Sequence, residues 1–425
     1  MTFRWITVLA TAALLLAACG GGDDTDRTKA RLRLVNASDG YVSLDLRVED
    51  ELRQGGVTYG TRADYVEVDP GEADSSITNS GSATALLSFT PAVERNKSYT
   101  VLAYGAQGAL RQLLLDDNVG AADSGRTLLR IVNAGADAGD LDIYLTGADE
   151  DLSTAVPVQS RASYGVDAGL LNVNSGNWRL RVTATGSKTD LRLDLSALAL
   201  VSEQVLTLVL TPARGGVLMN ALLLEQRGAV TREDTALARV RVAAGVADSG
   251  AVSAAVGSKV LMSSVGSPAV GLYALVPAGT QPVALAVNGA PLAAGPQTLA
   301  AGADYTLLVS GLPGTPLADW IEDDNRRPAD SGNARLRLVN GVAGLAAPLS
   351  MTADFVPVAD GVLPGSASAY ASVEATLTAQ LSVTAAGLPT PLYSAVDQPL
   401  VAGAVYTVFL VGAPNAAVGI LRKDR

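Results

Sequence analysis

An opening of alternating apolar and basic residues recurs four times along the chain, and this internal repetition limits the fold more than any other feature. The copies are Arg31-Leu32-Arg33-Leu34-Val35-Asn36, Leu128-Leu129-Arg130-Ile131-Val132-Asn133, Arg239-Val240-Arg241-Val242-Ala243 and Arg335-Leu336-Arg337-Leu338-Val339-Asn340. A second landmark follows each one: Tyr99-Thr100-Val101-Leu102, Leu206-Thr207-Leu208-Val209, Tyr305-Thr306-Leu307-Leu308 and Tyr406-Thr407-Val408-Phe409. Two landmarks kept in one order make each unit a domain of about 100 residues, within the usual size range.

The array also carries a trace of its history. Asp116-Asp117-Asn118, Ala122-Asp123-Ser124-Gly125, Arg130 and Val132-Asn133 reappear at a constant shift of 207 as Asp323-Asp324-Asn325, Ala329-Asp330-Ser331-Gly332, Arg337 and Val339-Asn340. The junction of units two and three, Gln226 to Thr235, lacks the pattern. A two-unit segment copied once is the simplest origin.

Within a unit the hydrophobic period is two. Val42 to Val48, Trp178 to Val182 and Leu191 to Leu195 alternate strictly, which marks half-buried strands with one wet face. Turn formers punctuate them at Asp69-Pro70-Gly71, Asn174-Ser175-Gly176 and Pro277-Ala278-Gly279, where Pro fixes φ and Gly supplies φ above zero. Short strands with frequent turns predict an all-β chain of four tandem immunoglobulin-like β-sandwiches, with roughly seven strands per unit. The expected boundaries are 30–118, 126–228, 236–325 and 333–425.

The segment before the first unit reads as an export signal. Residues 1–18 carry one basic side chain, then the apolar run Ile6 to Ala18, too short to span a bilayer. It closes on Leu16-Ala17-Ala18-Cys19, which resembles the bacterial lipobox, and that resemblance implies lipidation of Cys19. Cys19 is the single cysteine of the chain, so it has no intramolecular disulfide partner. Residues 19–29 then form a flexible tether. Gly20 stands where the implied sorting scheme would read Asp as an inner-membrane signal, so the expectation is a lipid anchor in the outer membrane.

Composition excludes several chemistries. There is no His, so Ser-His and Cys-His triads and His-based zinc sites are ruled out. A net charge of −11 without a basic cluster argues against nucleic acid as a partner. Carboxylates alone can still run glycoside hydrolysis, but Asp149-Glu150-Asp151 and Glu233-Asp234 are neighbours in loop-like stretches rather than acids facing across a cleft. No catalytic residue is assigned. Tyr59, Tyr164, Tyr99, Tyr305 and Tyr406 recur at fixed unit positions and read as core plugs or tyrosine corners rather than a ligand surface. The paired arginines of the openings, such as Arg31 with Arg33 and Arg335 with Arg337, read as polar residues on a wet face or edge.

Laid out this way, the chain resembles bacterial envelope proteins carrying the domain of unknown function 4397. The motifs are the Arg-x-Val-Asn opening, the Tyr-Gly step (Tyr59-Gly60, Tyr164-Gly165), the Pro-Ala-Gly turn at Pro277, the Tyr-Thr strand and the acidic exit at Asp116 and Glu322-Asp323-Asp324. Unit three has Val265-Gly266 in place of the Tyr-Gly step. The resemblance implies sandwiches in exported or anchored proteins with no established activity. The expected function is a non-enzymatic envelope lipoprotein, a row of sandwiches that binds, spaces or scaffolds. It is held to a membrane by its lipid and has an unidentified protein or glycan partner. A surface adhesin or carbohydrate-binding protein is the alternative, and a carboxylate-only hydrolase a weaker one.

One cofactor is suggested by pattern. Asp116, Asp117, Asn118 and Asp123, repeated as Asp323, Asp324, Asn325 and Asp330, crowd oxygen ligands at two junctions, similar to the calcium-binding linkers of cadherin-like proteins. A solvated acidic turn is the competing reading.

Overall fold

A computed structural model describes residues 28–425. The export segment, Leu16, Ala17, Ala18 and Cys19, and most of the tether lie outside the described residues. Nearly all regular structure from Ala30 to Lys423 is β-strand, and it forms four sandwiches in tandem.

Unit two shows the plan. One sheet holds Leu170–Asn174, Arg126–Asn133, Gln204–Pro212 and Met219–Glu225 side by side. The other holds Gln159–Ala162, Leu141–Thr146, Gly176–Ala184 and Leu191–Leu200. Units one, three and four repeat this order. Leucines and valines from both inner faces close a core between them, as with Leu129, Ile131, Leu180, Val182 and Leu208 in unit two.

The sandwich class is as expected, while the strand order within it differs. The opening strand lies between the fourth and seventh strands of its unit and runs parallel to the seventh, for example Arg130 opposite Thr207. In the ABED and CFG sheets of an immunoglobulin constant domain the first strand instead neighbours the second. Eight principal strands, not seven, make up each unit. Val230–Glu233, read as linker, adds a fifth strand to the first sheet of unit two through pairs such as Leu222 with Arg232.

Local chemistry explains the turns and one corner. Gly71, Gly176 and Gly279 take φ of 116°, 137° and 90°, which side chains with a Cβ rarely adopt. Tyr99, Tyr305 and Tyr406 are buried in their own sandwiches, and each hydroxyl accepts the backbone N–H five residues upstream, from Glu94 (3.2 Å), Ala300 (3.1 Å) and Val401 (3.0 Å). These three are tyrosine corners, one of the two readings that the sequence left open.

The units are not a row of beads. Units one and two bury their first sheets against each other, with Val35, Leu102 and Leu115 meeting Val132, Val209 and Leu222 in one cluster. Units three and four do the same through Ala243, Leu308 and Ile321 against Val339, Phe409 and Val411. The two pairs also touch. Gly215 N–H donates to Gly302 O at 2.7 Å and Asn325 N–H to Gly215 O at 3.1 Å, while Arg425 reaches the Gly216 and Asp137 carbonyls.

Candidate functional site

The repeated polar residues gather in the seams between paired sandwiches, and strand alternation puts them there. Leu32 and Leu34 enter the core of unit one, so Arg33 and Val35 point out of the opposite face of the same strand. That face is covered by unit two. Arg33, Arg130, Arg241 and Arg337 are therefore buried, at 1%, 8%, 3% and 2% exposure, and the wet-face reading is overturned for Arg33 and Arg337. Alternation alone cannot distinguish a face covered by water from one covered by a second sandwich.

In units one, three and four each guanidinium is held by the same set of residues. Its Nε donates to a threonine on the parallel neighbour strand: Arg33 to Thr100 (2.7 Å), Arg241 to Thr306 (2.8 Å) and Arg337 to Thr407 (3.0 Å). The threonine hydroxyl donates to an aspartate at the exit of its unit: Thr100 to Asp117 (2.6 Å), Thr306 to Asp323 (2.6 Å) and Thr407 to Asp424 (2.5 Å). A tyrosine stacks on the guanidinium, with centroid distances of 4.9 Å for Arg33 on Tyr65, 4.4 Å for Arg241 on Tyr273 and 4.5 Å for Arg337 on Tyr370. All three phenols also donate to the acid, Tyr65 to Asp117 at 2.7 Å, Tyr273 to Asp323 at 2.6 Å and Tyr370 to Asp424 at 3.4 Å.

Between units three and four the charges are exchanged. Arg337 of unit four pairs with Asp323 of unit three, and Arg241 of unit three pairs with Asp424 of unit four. Burial works to raise the Asp323 carboxyl, but Arg337 and Arg241 outweigh it and hold it below the ordinary range. Burial, with Asp323 beside it, pushes the Tyr273 phenol well up.

The seam of units one and two is a reduced version of this one. Gln226 stands where an exit acid would be, since its N–H bonds to Val205 as that of Asp117 does to Ser98. Leu170 stands opposite Arg130 where the other units have tyrosine. Arg130 turns to Asp167 of its own unit at 3.2 Å, and Arg33 donates to the backbone carbonyls of Gly228 (2.9 Å) and Glu225 (3.2 Å) across the seam. For Asp117 burial outweighs its hydrogen bonds and the nearby arginines, and its carboxyl is raised. Tyr59 and Tyr164, read as core plugs or tyrosine corners, belong to this seam instead. The Tyr59 hydroxyl meets Thr211 of unit two at 2.7 Å, and Tyr164 makes an edge contact with Tyr104 of unit one.

The acids suggested as calcium ligands are dispersed by these contacts. Asp117 and Asp323 lie in the two seams. Asp116 accepts from Asn118 N–H at 2.9 Å, and Asn118 is bonded to Ser98 and Arg227. Asp324 is clasped by Arg326 and Arg335, which overcome the effect of burial and hold it at about 2. Asn325 donates to Asp304 at 2.7 Å, while Asp123 and Asp330 are exposed and Asp330 accepts from Gly332 N–H. Among the described residues no group of three or more acids is placed to hold a metal. Of these acids, Asp117, Asp323 and Asp324 have arginines within 4 Å as their counter-charges.

The role-bearing acids also correct the repeat alignment. Identity matches Asp116 to Asp323, but the acid that accepts the threonine and tyrosine hydrogen bonds is Asp117 in unit one and Asp323 in unit three. The stacking tyrosines were missed, although a signal existed: they follow their arginines by 32, 32 and 33 residues.

With this geometry in view, family membership is clear. The profile of the domain of unknown function DUF4397 matches residues 30–144 and 238–348, more than half of the chain. The chain belongs to the DUF4397 family. Each matched stretch runs through one sandwich and past the opening strand of its partner, so it includes both arginines of a seam. No curated protein matches the sequence. Two solved structures are similar in part. A candidate cell adhesion protein from Bacteroides uniformis has 10% identity and a TM-score of 0.21, covering 47% of this chain and 99% of its own. The Bacillus anthracis TIE protein has 8% identity and a TM-score of 0.15, covering 90% and 68%. TM-scores this low carry no argument about fold or role.

Proposed function

We propose that this DUF4397 protein is a non-enzymatic lipoprotein of the cell envelope. It is anchored in the outer membrane through Cys19 and presents two fused sandwich pairs as a binding or scaffolding head. The observation that carries this reading is the use made of the buried charges. The arginines and exit acids of the seams pair with one another, so they serve to dock sandwiches rather than to move protons. Pairing also makes the body shorter and stiffer than four beads on linkers, which favours a compact head over a long spacer. An adhesin presents such a head outward and a periplasmic scaffold presents it inward.

Two measurements test the proposal. In a host that makes lipoproteins, Cys19 takes up labelled fatty acid, and Cys19→Ser leaves unprocessed precursor. Release of mature, unlipidated Cys19→Ser protein would overturn the anchor. Protease added to intact cells cuts the sandwiches if they face outward and spares them if they face the periplasm.

A further inference from the structure

The seam of units three and four opens into a groove of about 400 Å³, wider than the cavity of about 130 Å³ between Gly105 and Ala136 at the first seam, and comparing equivalent positions shows its cause. On the closing strand of each first sheet one outward residue seals the seam. It lies opposite Leu102, Val209, Leu308 and Phe409, and it is Leu113 in unit one, Leu222 in unit two and Ile420 in unit four. All three belong to the apolar seam clusters. In unit three the residue is Asp319.

The facing side has changed as well. Gly60, Gly165 and Gly365 are equivalent, since each donates its N–H at 2.8 Å to the carbonyl of the opening-strand asparagine, Asn36, Asn133 or Asn340. The residue before the glycine is Tyr59 or Tyr164 in the first pair, where both rings fill the seam. In unit four it is Pro364. A Cβ on Gly60 would come 3.5 Å from Leu222, and one on Gly365 would come 2.6 Å from the Asp319 carboxylate, so the two glycines face the same partner position.

Losing the ring and gaining the acid leaves a groove of about 400 Å³, lined by Leu317, Val342, Leu345, Pro364 and Gly365 around Asp319. That volume lies in the range of about 300–1,000 Å³ usual for small-molecule sites, which are mostly apolar with a few orienting polar groups. The Asp319 carboxylate makes no hydrogen bond or ion pair with any described residue, and burial alone raises it. A half-buried carboxylate without a counter-charge is costly unless something supplies one. No Lys or Arg occurs between Arg337 and Arg422 to do so from unit four.

We propose that this groove binds a small organic ammonium compound, its apolar body lying where Tyr59 or Tyr164 lies in the other seam and its ammonium paired with Asp319. The site goes beyond the anchored-scaffold reading and does not depend on it.

The test uses the full mature chain, titrated calorimetrically with 2-phenylethylammonium and with the neutral 2-phenylethanol. The ammonium is expected to bind at least tenfold more tightly than the alcohol. Asp319→Asn, nearly isosteric, should remove that preference, and Pro364→Tyr, which restores the ring of the first pair, should block both compounds while leaving the far-ultraviolet circular dichroism unchanged. Equal affinity for the two compounds, no binding of the ammonium at millimolar concentration, or binding that survives both substitutions would each overturn the proposal.

Discussion

At the scale of single residues, buried arginine is the distinctive feature of this protein. A guanidinium without water needs its donors satisfied and its charge matched, and the threonine, tyrosine and aspartate around Arg337 do both. Arg337→Ala leaves Asp323 buried with one distant arginine, Arg241 at 3.9 Å. Breaking such a pair costs about 3–5 kcal/mol, to be read as a lower midpoint in urea unfolding. Acid should affect the two seams in opposite senses. Asp324 at the second seam is held at about 2, below its unfolded value. Its contribution is therefore complete above about pH 4 and is lost as pH falls through about 2. Asp117 in the first seam is raised, so the folded state holds its proton longer, and stability falls as pH rises from the unfolded value through the folded one. Unfolding curves from pH 2 to 6 should thus show stability relative to Asp324→Asn rising with pH, and stability relative to Asp117→Asn falling.

At the scale of elements, the first sheet of each unit works on both faces. Its inner side chains close a sandwich and its outer ones close a seam, so the opening and parallel strands are among the most buried in the chain. Parallel pairing of these strands needs a long excursion between them, and the second sheet is built from that excursion. The tyrosine corners fasten the return. Tyr305→Phe frees the Ala300 N–H, at a cost of about 1 kcal/mol, and Tyr99→Phe and Tyr406→Phe should match it because the three bonds have the same geometry. Parallel thermal melts of the three variants check this. Unequal losses would mean that the corner carries different loads in different units. The alternating strands and their turns were legible because their period and their Gly and Pro signals are local. The strand order was not, because pairing of the first strand with the seventh is decided by packing some seventy residues away.

At the scale of the whole molecule, the apolar clusters shared across each seam predict that the pair rather than the single sandwich is the folding unit. A fragment of residues 28–235 keeps both faces of the first seam covered. A fragment of residues 122–235 would expose Val132, Val209, Leu222 and Leu224 together with Arg130. Such an apolar patch favours self-association. The longer fragment is expected to sediment as a monomer with one cooperative unfolding transition, and the shorter one to dimerise or aggregate. A monomeric shorter fragment of equal stability would mean that the seam adds nothing to the fold. The copying of a two-unit segment, visible as the shift of 207, has its structural counterpart in these pairs, since a half-copy would leave one seam face bare.

The sequence by itself determined the repeat, the strand period, the turn glycines and the likeness to DUF4397, because all of these are written in local order and in recurrence. Only the tertiary structure decided what the repeated polar residues do. An arginine on the outward side of a strand has the same sequence signature whether the next layer is water or another sandwich. The structure covers that side with a second sheet, and this turns residues read as solvated charge into the buried contacts that join the units.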